Sequence, residues 1–271
     1  MMPSAAPSYS FISSSLNNNQ MKQSRFIAML PGAVMVFFLI SCGGSGTSEK
    51  TATDSATVAT ADTTAAPAAA TQVNTIVTTT QDMVVITHKV ANFAKWMAAF
   101  EEHDSARLAS GLHKYVIGRG FMDTNIVLVA LKADDITKAK AFGKDPNLKK
   151  VMQKGGVTGA PMISYVTATW RDTSDLSSDI IRSRTNFSVK DFDAWVKSFQ
   201  EGKQERMDNG IVDRTISHDA DDNKKVSLVT AVMDTAKAFA YYKSDALKKR
   251  REAGGVIGTP ARFLFRVVKR Y

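Results

Sequence analysis

The 271-residue chain has one cysteine, Cys42. No intrachain disulfide can form, so a folded part must rest on its apolar cores. The four histidines, His88, His103, His113 and His218, include no pair at metal-ligand spacing, and neither an H-E-x-x-H run nor a Cys/His cluster occurs. No metal is expected. Nucleotide-binding and acyl-transfer signatures are missing too: there is no P-loop, no G-x-G-x-x-G and no G-x-S-x-G. Large apolar side chains almost vanish between residues 43 and 78, where Thr, Ala, Ser and Gly dominate. Such a stretch cannot offset its ordering entropy and reads as a flexible tether. Acidic residues are in deficit, 26 against 35 Lys and Arg, which leaves a net charge of +9. That balance permits anionic partners without selecting one. The densest basic run, Lys248-Lys-Arg-Arg251, falls late in an expected helix, where cations complement the helix dipole. No nucleic-acid partner is expected.

Long apolar runs are scarce as well. Ile27–Ile40 is interrupted by Pro31-Gly32 and is too short and broken for a membrane-spanning helix. It follows Met21, Lys22 and Arg25 and leads into Leu39-Ile-Ser-Cys42-Gly43. The order of positive charge, apolar run, small residue and cysteine resembles the leader and lipobox of bacterial lipoproteins. The resemblance implies a signal peptide over residues 1–42 ending at a lipidated Cys42, with the true start at Met21. It also implies a tether over 43–78, and a membrane partner through the lipid anchor. The expected location is the bacterial cell envelope, on the periplasmic or outer-membrane face. Several acyl chains anchor stably where one is marginal.

What the chain does contain is an internal repeat. Val90, Phe93, Trp96, Phe100, Arg107 and Gly111 return as Val189, Phe192, Trp195, Phe199, Arg206 and Gly210, each 99 residues on. The ends match at the same offset. Leu148-Lys-Lys, Gly155-Gly-Val157, Gly159 and Pro161 recur as Leu247-Lys-Lys, Gly254-Gly-Val256, Gly258 and Pro260. Two copies are too few for a solenoid and read as a pseudo-symmetric pair, residues 79–172 and 178–271.

Each copy alternates β-branched runs with amphipathic stretches. In the first, Met83–His88 reads as a strand, and a helix begins at Ala91 or Asn92 and ends at Gly111. Tyr115–Ile117 and Ile126–Leu131 are strands, a helix over 136–154 breaks near Asp145-Pro146, and Met162–Val166 closes the unit. The second copy follows suit, with a helix over 190–209, another over 234–253, and a one-residue difference expected in the hairpin at 219–223. The order is βαββαβ, a ferredoxin-like unit in the α+β class. One face of such a sheet lacks helices, and a second sheet would cover it. The Phe-x-x-Trp-x-x-x-Phe helix, its Arg and Gly, and the Gly-Gly-Val-x-Gly-x-Pro segment together resemble the dimeric α+β barrel superfamily in a fused tandem form. That resemblance, over about residues 80–271, implies two repeats closing on each other as an intrachain barrel. The superfamily includes cofactor-free monooxygenases, haem-handling enzymes, isomerases and cyclase-like proteins. No histidine motif here carries haem over, so no cofactor is expected. One fold hosting many chemistries leaves function to the site.

The site candidates lie where the repeats differ. Arg182 and Arg184 alternate along a strand and share a face. Repeat one has Met83 and Val85 there. Arg262 and Arg266 share a face of the last strand. Phe263, Phe265 and Val267 are expected to face the helices, leaving all four arginines toward the barrel interior or its rim. One half apolar and the other cationic suits an amphipathic anion such as a fatty or aromatic acid. His88, matched by Phe187, and His103, matched by Gly202, are the alternative candidates. They are the bases of a cofactor-independent monooxygenase or isomerase that would use the barrel cavity. The preferred expectation is ligand or partner binding without catalysis.

Overall fold

The structure is a computed structural model that describes residues 74–271. The expected leader, Cys42 and most of the tether lie outside the described residues. The expected tether overlaps an ordered segment at its end. A short strand, β1 (Ile76–Val77), pairs with Asp172 and Arg171 ahead of the expected boundary at residue 79.

The first repeat is β2 (Gln81–Val90), α1 (Phe93–Glu102), α2 (Asp104–Ala109), β3 (Leu112–Gly120), β4 (Ile126–Ala133), α3 (Ile136–Gly143), α4 (Pro146–Lys154) and β5 (Val157–Asp172). The second is β6 (Ile181–Val189), α5 (Phe192–Glu201), α6 (Lys203–Asp208), β7 (Ile211–Asp219), β8 (Lys225–Val232), α7 (Thr235–Tyr242), α8 (Asp245–Ala253) and β9 (Val256–Arg270). All four helices of one repeat map onto those of the other at the 99-residue offset. The hairpins do too. Arg119 faces Val127 and His218 faces Val226, so the one-residue difference expected there is absent.

The long first helix of each repeat is broken, at His103 and at Gly202. The break leaves carbonyls that a continuous helix would have satisfied. Arg107 donates to Phe100 O at 2.5 Å, and Arg206 to Phe199 O at 2.6 Å. Each guanidinium also lies over the ring of that same phenylalanine, at 3.9 and 3.5 Å. The repeated arginine is thus a structural latch. Gly111 and Gly210 end the broken helices at φ +67°, in the left-handed region that glycine enters without strain.

The strands form one antiparallel sheet in the order β1-β5-β2-β4-β3-β9-β6-β8-β7, and β7 returns to pair with β5. Strands β2 to β9 therefore close into a ring, with two seams joining the repeats, β3–β9 and β5–β7. Helices cover the outside. Trp96 lies in the outer core of repeat one with Val84, Leu112 and Leu131, and Trp195 in that of repeat two with Val189, Ile216 and Val226. Inside the ring, Met83, Val85, Val116, Leu128 and Val166 meet Phe265 and Val267 of the other repeat. The face that lacks helices in each half is covered by its twin.

Candidate functional site

Alternation along β6 sends Arg182 and Arg184 into the ring and Ile181 and Ser183 outward. The register agrees: Arg182 stands opposite Phe265 and Arg184 opposite Phe263, both aimed inward. The two arginines occupy the places of Met83 and Val85 in the first repeat. They line a chamber of about 720 Å³, part of it open to solvent. Its opposite wall is Met83, Val85, Val116, Leu128, Ala130 and Val166.

The cationic wall is short of counter-charge. Arg184 is 6 % exposed, and its Nε donates to Ser227 Oγ at 2.9 Å. Arg182 is 2 % exposed, donates to Ile180 O at 2.8 Å, and leaves its buried Nη2 without a partner. Among the described residues, no carboxylate makes an ion pair with either. Arg214, farther along the wall, differs: Asp172 lies 3.0 Å from it and Ser174 Oγ 2.7 Å. Burial pushes the Arg184 guanidinium down to about 10. Burial, together with the charges of Arg214 and Arg270, does the same to Arg182. Both remain cations at neutral pH, and a buried charge without a partner costs several kcal/mol. A polar hollow lined by Ser164, Asn186, Ser188, Asp219 and Lys225 adjoins the chamber and shares Arg184, Val166 and Ser227 with it. Arg184 therefore stands where the chamber opens.

Arg262 and Arg266 are not part of this wall, which corrects the expected facing of β9. Phe263, Phe265 and Val267 point into the ring, and the two arginines point to the helix side. Arg262 lies 3.4 Å over the Tyr242 ring, and Arg266 lies 4.8 Å over Phe121. The inner wall needs bulk beside the long arginines of β6, and aromatic rings supply it. On the outer side each guanidinium stacks on an aromatic ring of the helix layer or the neighbouring loop.

His88 and His103 are also outside the ring. Both line a second cavity of about 500 Å³, between the sheet and helices of repeat one, with Trp96, Phe100, Arg107 and Phe142. The expected barrel cavity is therefore not the one they serve. His88 is 5 % exposed, its ring centre 5.4 Å from that of Trp96, and neither ring nitrogen has a hydrogen-bond partner. Burial pushes its pKa down to about 4, so it is a neutral imidazole at physiological pH. His103 sits at the α1–α2 break with Nδ1 unpartnered, and burial and then Arg107 lower its pKa. Among the described residues, no three His, Cys, Asp or Glu side chains converge as a metal site.

Arg214 and Ser227 of the chamber went unnoticed in the sequence. Their signal was present. At the 99-residue offset they replace Tyr115 and Leu128, polar groups where the twin has large, mainly apolar ones.

No protein-family model matches the chain, and no curated protein matches it in sequence. Solved structures resemble it in shape alone. A provisionally assigned monooxygenase of Fusobacterium nucleatum is 11 % identical with a TM-score of 0.47, over 70 % of this chain and 93 % of that one. An anthrone oxidase-like protein is 13 % identical with a TM-score of 0.47, over 70 % and 92 %. A ferredoxin-fold protein of Listeria monocytogenes related to antibiotic biosynthesis monooxygenases is 7 % identical with a TM-score of 0.38, over 71 % and 97 %. These neighbours are similar in form, and no activity carries over at such identities. The α+β class rests on the strand pairing and helix layers described above.

Proposed function

We propose that the chain is an envelope lipoprotein, anchored through Cys42, whose barrel binds a small amphipathic anion. The observation that carries the binding reading is the pair Arg182 and Arg184, buried without a carboxylate and facing an apolar wall. An anion between them supplies the missing counter-charge, and its apolar body lies against Met83, Val85 and Leu128. Bidentate hydrogen bonds from guanidinium to carboxylate favour a carboxylic acid head. Calorimetric titration with decanoate tests this. Saturable binding that disappears in Arg182→Met and Arg184→Met is expected; equal affinity in wild type and both variants contradicts it. The anchor rests on the sequence from Met21 to Gly43. Cys42→Ser is expected to release the protein from membranes, and retention in the membrane fraction would count against it.

A second reading is favoured by His88. A neutral imidazole with both nitrogens unpartnered, in a cavity beside Trp96, is available to take a proton, and its low basicity restricts it to an activated carbon acid. The ring nitrogen would take the C–H proton, leaving the electron pair delocalised onto an adjacent carbonyl. Deuterium exchange into anthrone in D2O reads that step without an oxidant. Exchange catalysed by wild type and lost in His88→Phe supports it, and equal rates remove it.

A further inference from the structure

The sheet–helix cavity of repeat two is built differently from that of repeat one. It holds about 690 Å³, part of it open, against Trp195, Phe199 and Tyr241. Position by position, the twin cavity offers a control for what the fold itself requires. Where repeat one has Ile86, Leu131, Met152 and Ile163, repeat two has Thr185, Thr230, Arg251 and Arg262. Where repeat one has Gly143, repeat two has Tyr242. Repeat one packs the same layer with apolar groups, so closing the sheet against its helices does not require the polar ones.

Four guanidiniums border the cavity, and two are already neutralised. Arg206 is bound in bidentate fashion by Asp213 at 2.6 and 2.8 Å, and Arg250 by Glu205 at 2.6 Å. Among the described residues, Arg251 and Arg262 make no ion pair. Arg262 has a single long contact to Thr185 Oγ1, at 3.4 Å, and stacks over Tyr242. The Tyr242 hydroxyl is buried without a partner. Two unpaired cations and a free hydroxyl thus border one hollow with aromatic walls. A planar ring would meet these aromatic walls by offset or edge contacts. An acid group on that ring would take the guanidinium donors and the phenol O–H.

We propose that this cavity is a second ligand site, independent of the inner chamber, that takes an aromatic carboxylate, with Arg251, Arg262 and Tyr242 holding the acid group. The probe is 2-naphthoate, followed by calorimetry and by tryptophan quenching, since Trp195 borders the cavity. The test variants carry the twin's own residues: the double variant Arg251→Met/Arg262→Ile, and the single variant Arg251→Met in case the double does not fold. The comparison variant is Arg182→Met/Arg184→Val of the inner chamber. Saturable binding that quenches tryptophan is expected in wild type and in the inner-chamber variant, and at least about tenfold weaker when the Arg251 changes are made within the inner-chamber variant, where the chamber no longer takes the acid itself. Three outcomes overturn the proposal: no saturable naphthoate binding to wild type, undiminished affinity when the Arg251 changes are made within the inner-chamber variant, or loss of binding in the inner-chamber variant itself.

Discussion

Arg184 stands where the other repeat places Val85, and the difference is a charge set into the inner core of a barrel. In the unliganded protein that charge opposes folding. Arg184→Val is therefore expected to raise the stability of the unliganded protein by about 1–4 kcal/mol, read from the urea midpoint. The same change is expected to abolish decanoate binding. A destabilised variant would mean that the folded protein itself compensates the guanidinium. His88 makes a separate prediction, and its sign is fixed by burial. Burial holds the folded His88 pKa down to about 4, against about 6.5 for a free imidazole. Between those values the unfolded chain holds a proton that the folded one lacks. Stability is thus full above pH 6.5 and falls as pH drops toward 4. On going from pH 7 to pH 5, wild type is expected to lose about 2 kcal/mol more than His88→Phe. Equal losses would mean that His88 is solvated. Arg182 and Arg184 were legible from strand alternation and from the repeat. The facing of Arg262 was not, because β9 is flanked by aromatic rings on both sides and the alternation of Phe and Arg does not say which side holds the helices.

At the scale of elements, the repeat motif turns out to be scaffold. Phe93, Trp96 and Phe100 form a stacked row with successive ring centres 5.7 and 5.2 Å apart, and Phe192, Trp195 and Phe199 form a matching row at 6.0 and 5.0 Å whose first pair is tilted. Element order and the starts of the four long helical stretches, near residues 92, 136, 190 and 234, could be read from the apolar periodicity. The breaks at His103 and Gly202 could not. The carbonyl freed at each break is satisfied by an arginine several residues on, a contact with no local periodicity. The left-handed glycines that follow are unequal in a measurable way. A Cβ on Gly111 would meet Asp134 Cβ at 3.3 Å, but one on Gly210 would meet Asp234 Cβ at 2.5 Å and its backbone N at 2.8 Å. Gly111→Ala is expected to lose about 1–2 kcal/mol from the positive φ alone. Gly210→Ala is expected to lose distinctly more, because backbone must also move. Thermal or urea melts decide this, and equal losses would mean that the Asp234 turn yields freely.

For the molecule as a whole, two copies of one unit close a ring that neither could close alone, and the copies then diverge on their concave surfaces. The ring was legible because a ferredoxin-like sheet leaves one face bare and the chain carries two of them. The return pairing of β7 with β5 required coordinates, since no local pattern specifies which strand edges meet. The chamber inside was half legible. Its charge followed from β6, whereas Arg214 and Ser227 emerge only when the twin strands are laid position on position. The central claim is that this chamber holds an anion that its own protein does not supply. Native mass spectrometry of the gently purified protein addresses it directly. A discrete added mass from a small organic acid, present in wild type and absent from Arg182→Met/Arg184→Val, is the expected result. Unliganded mass in both, with no gain on incubation with excess decanoate, would contradict it.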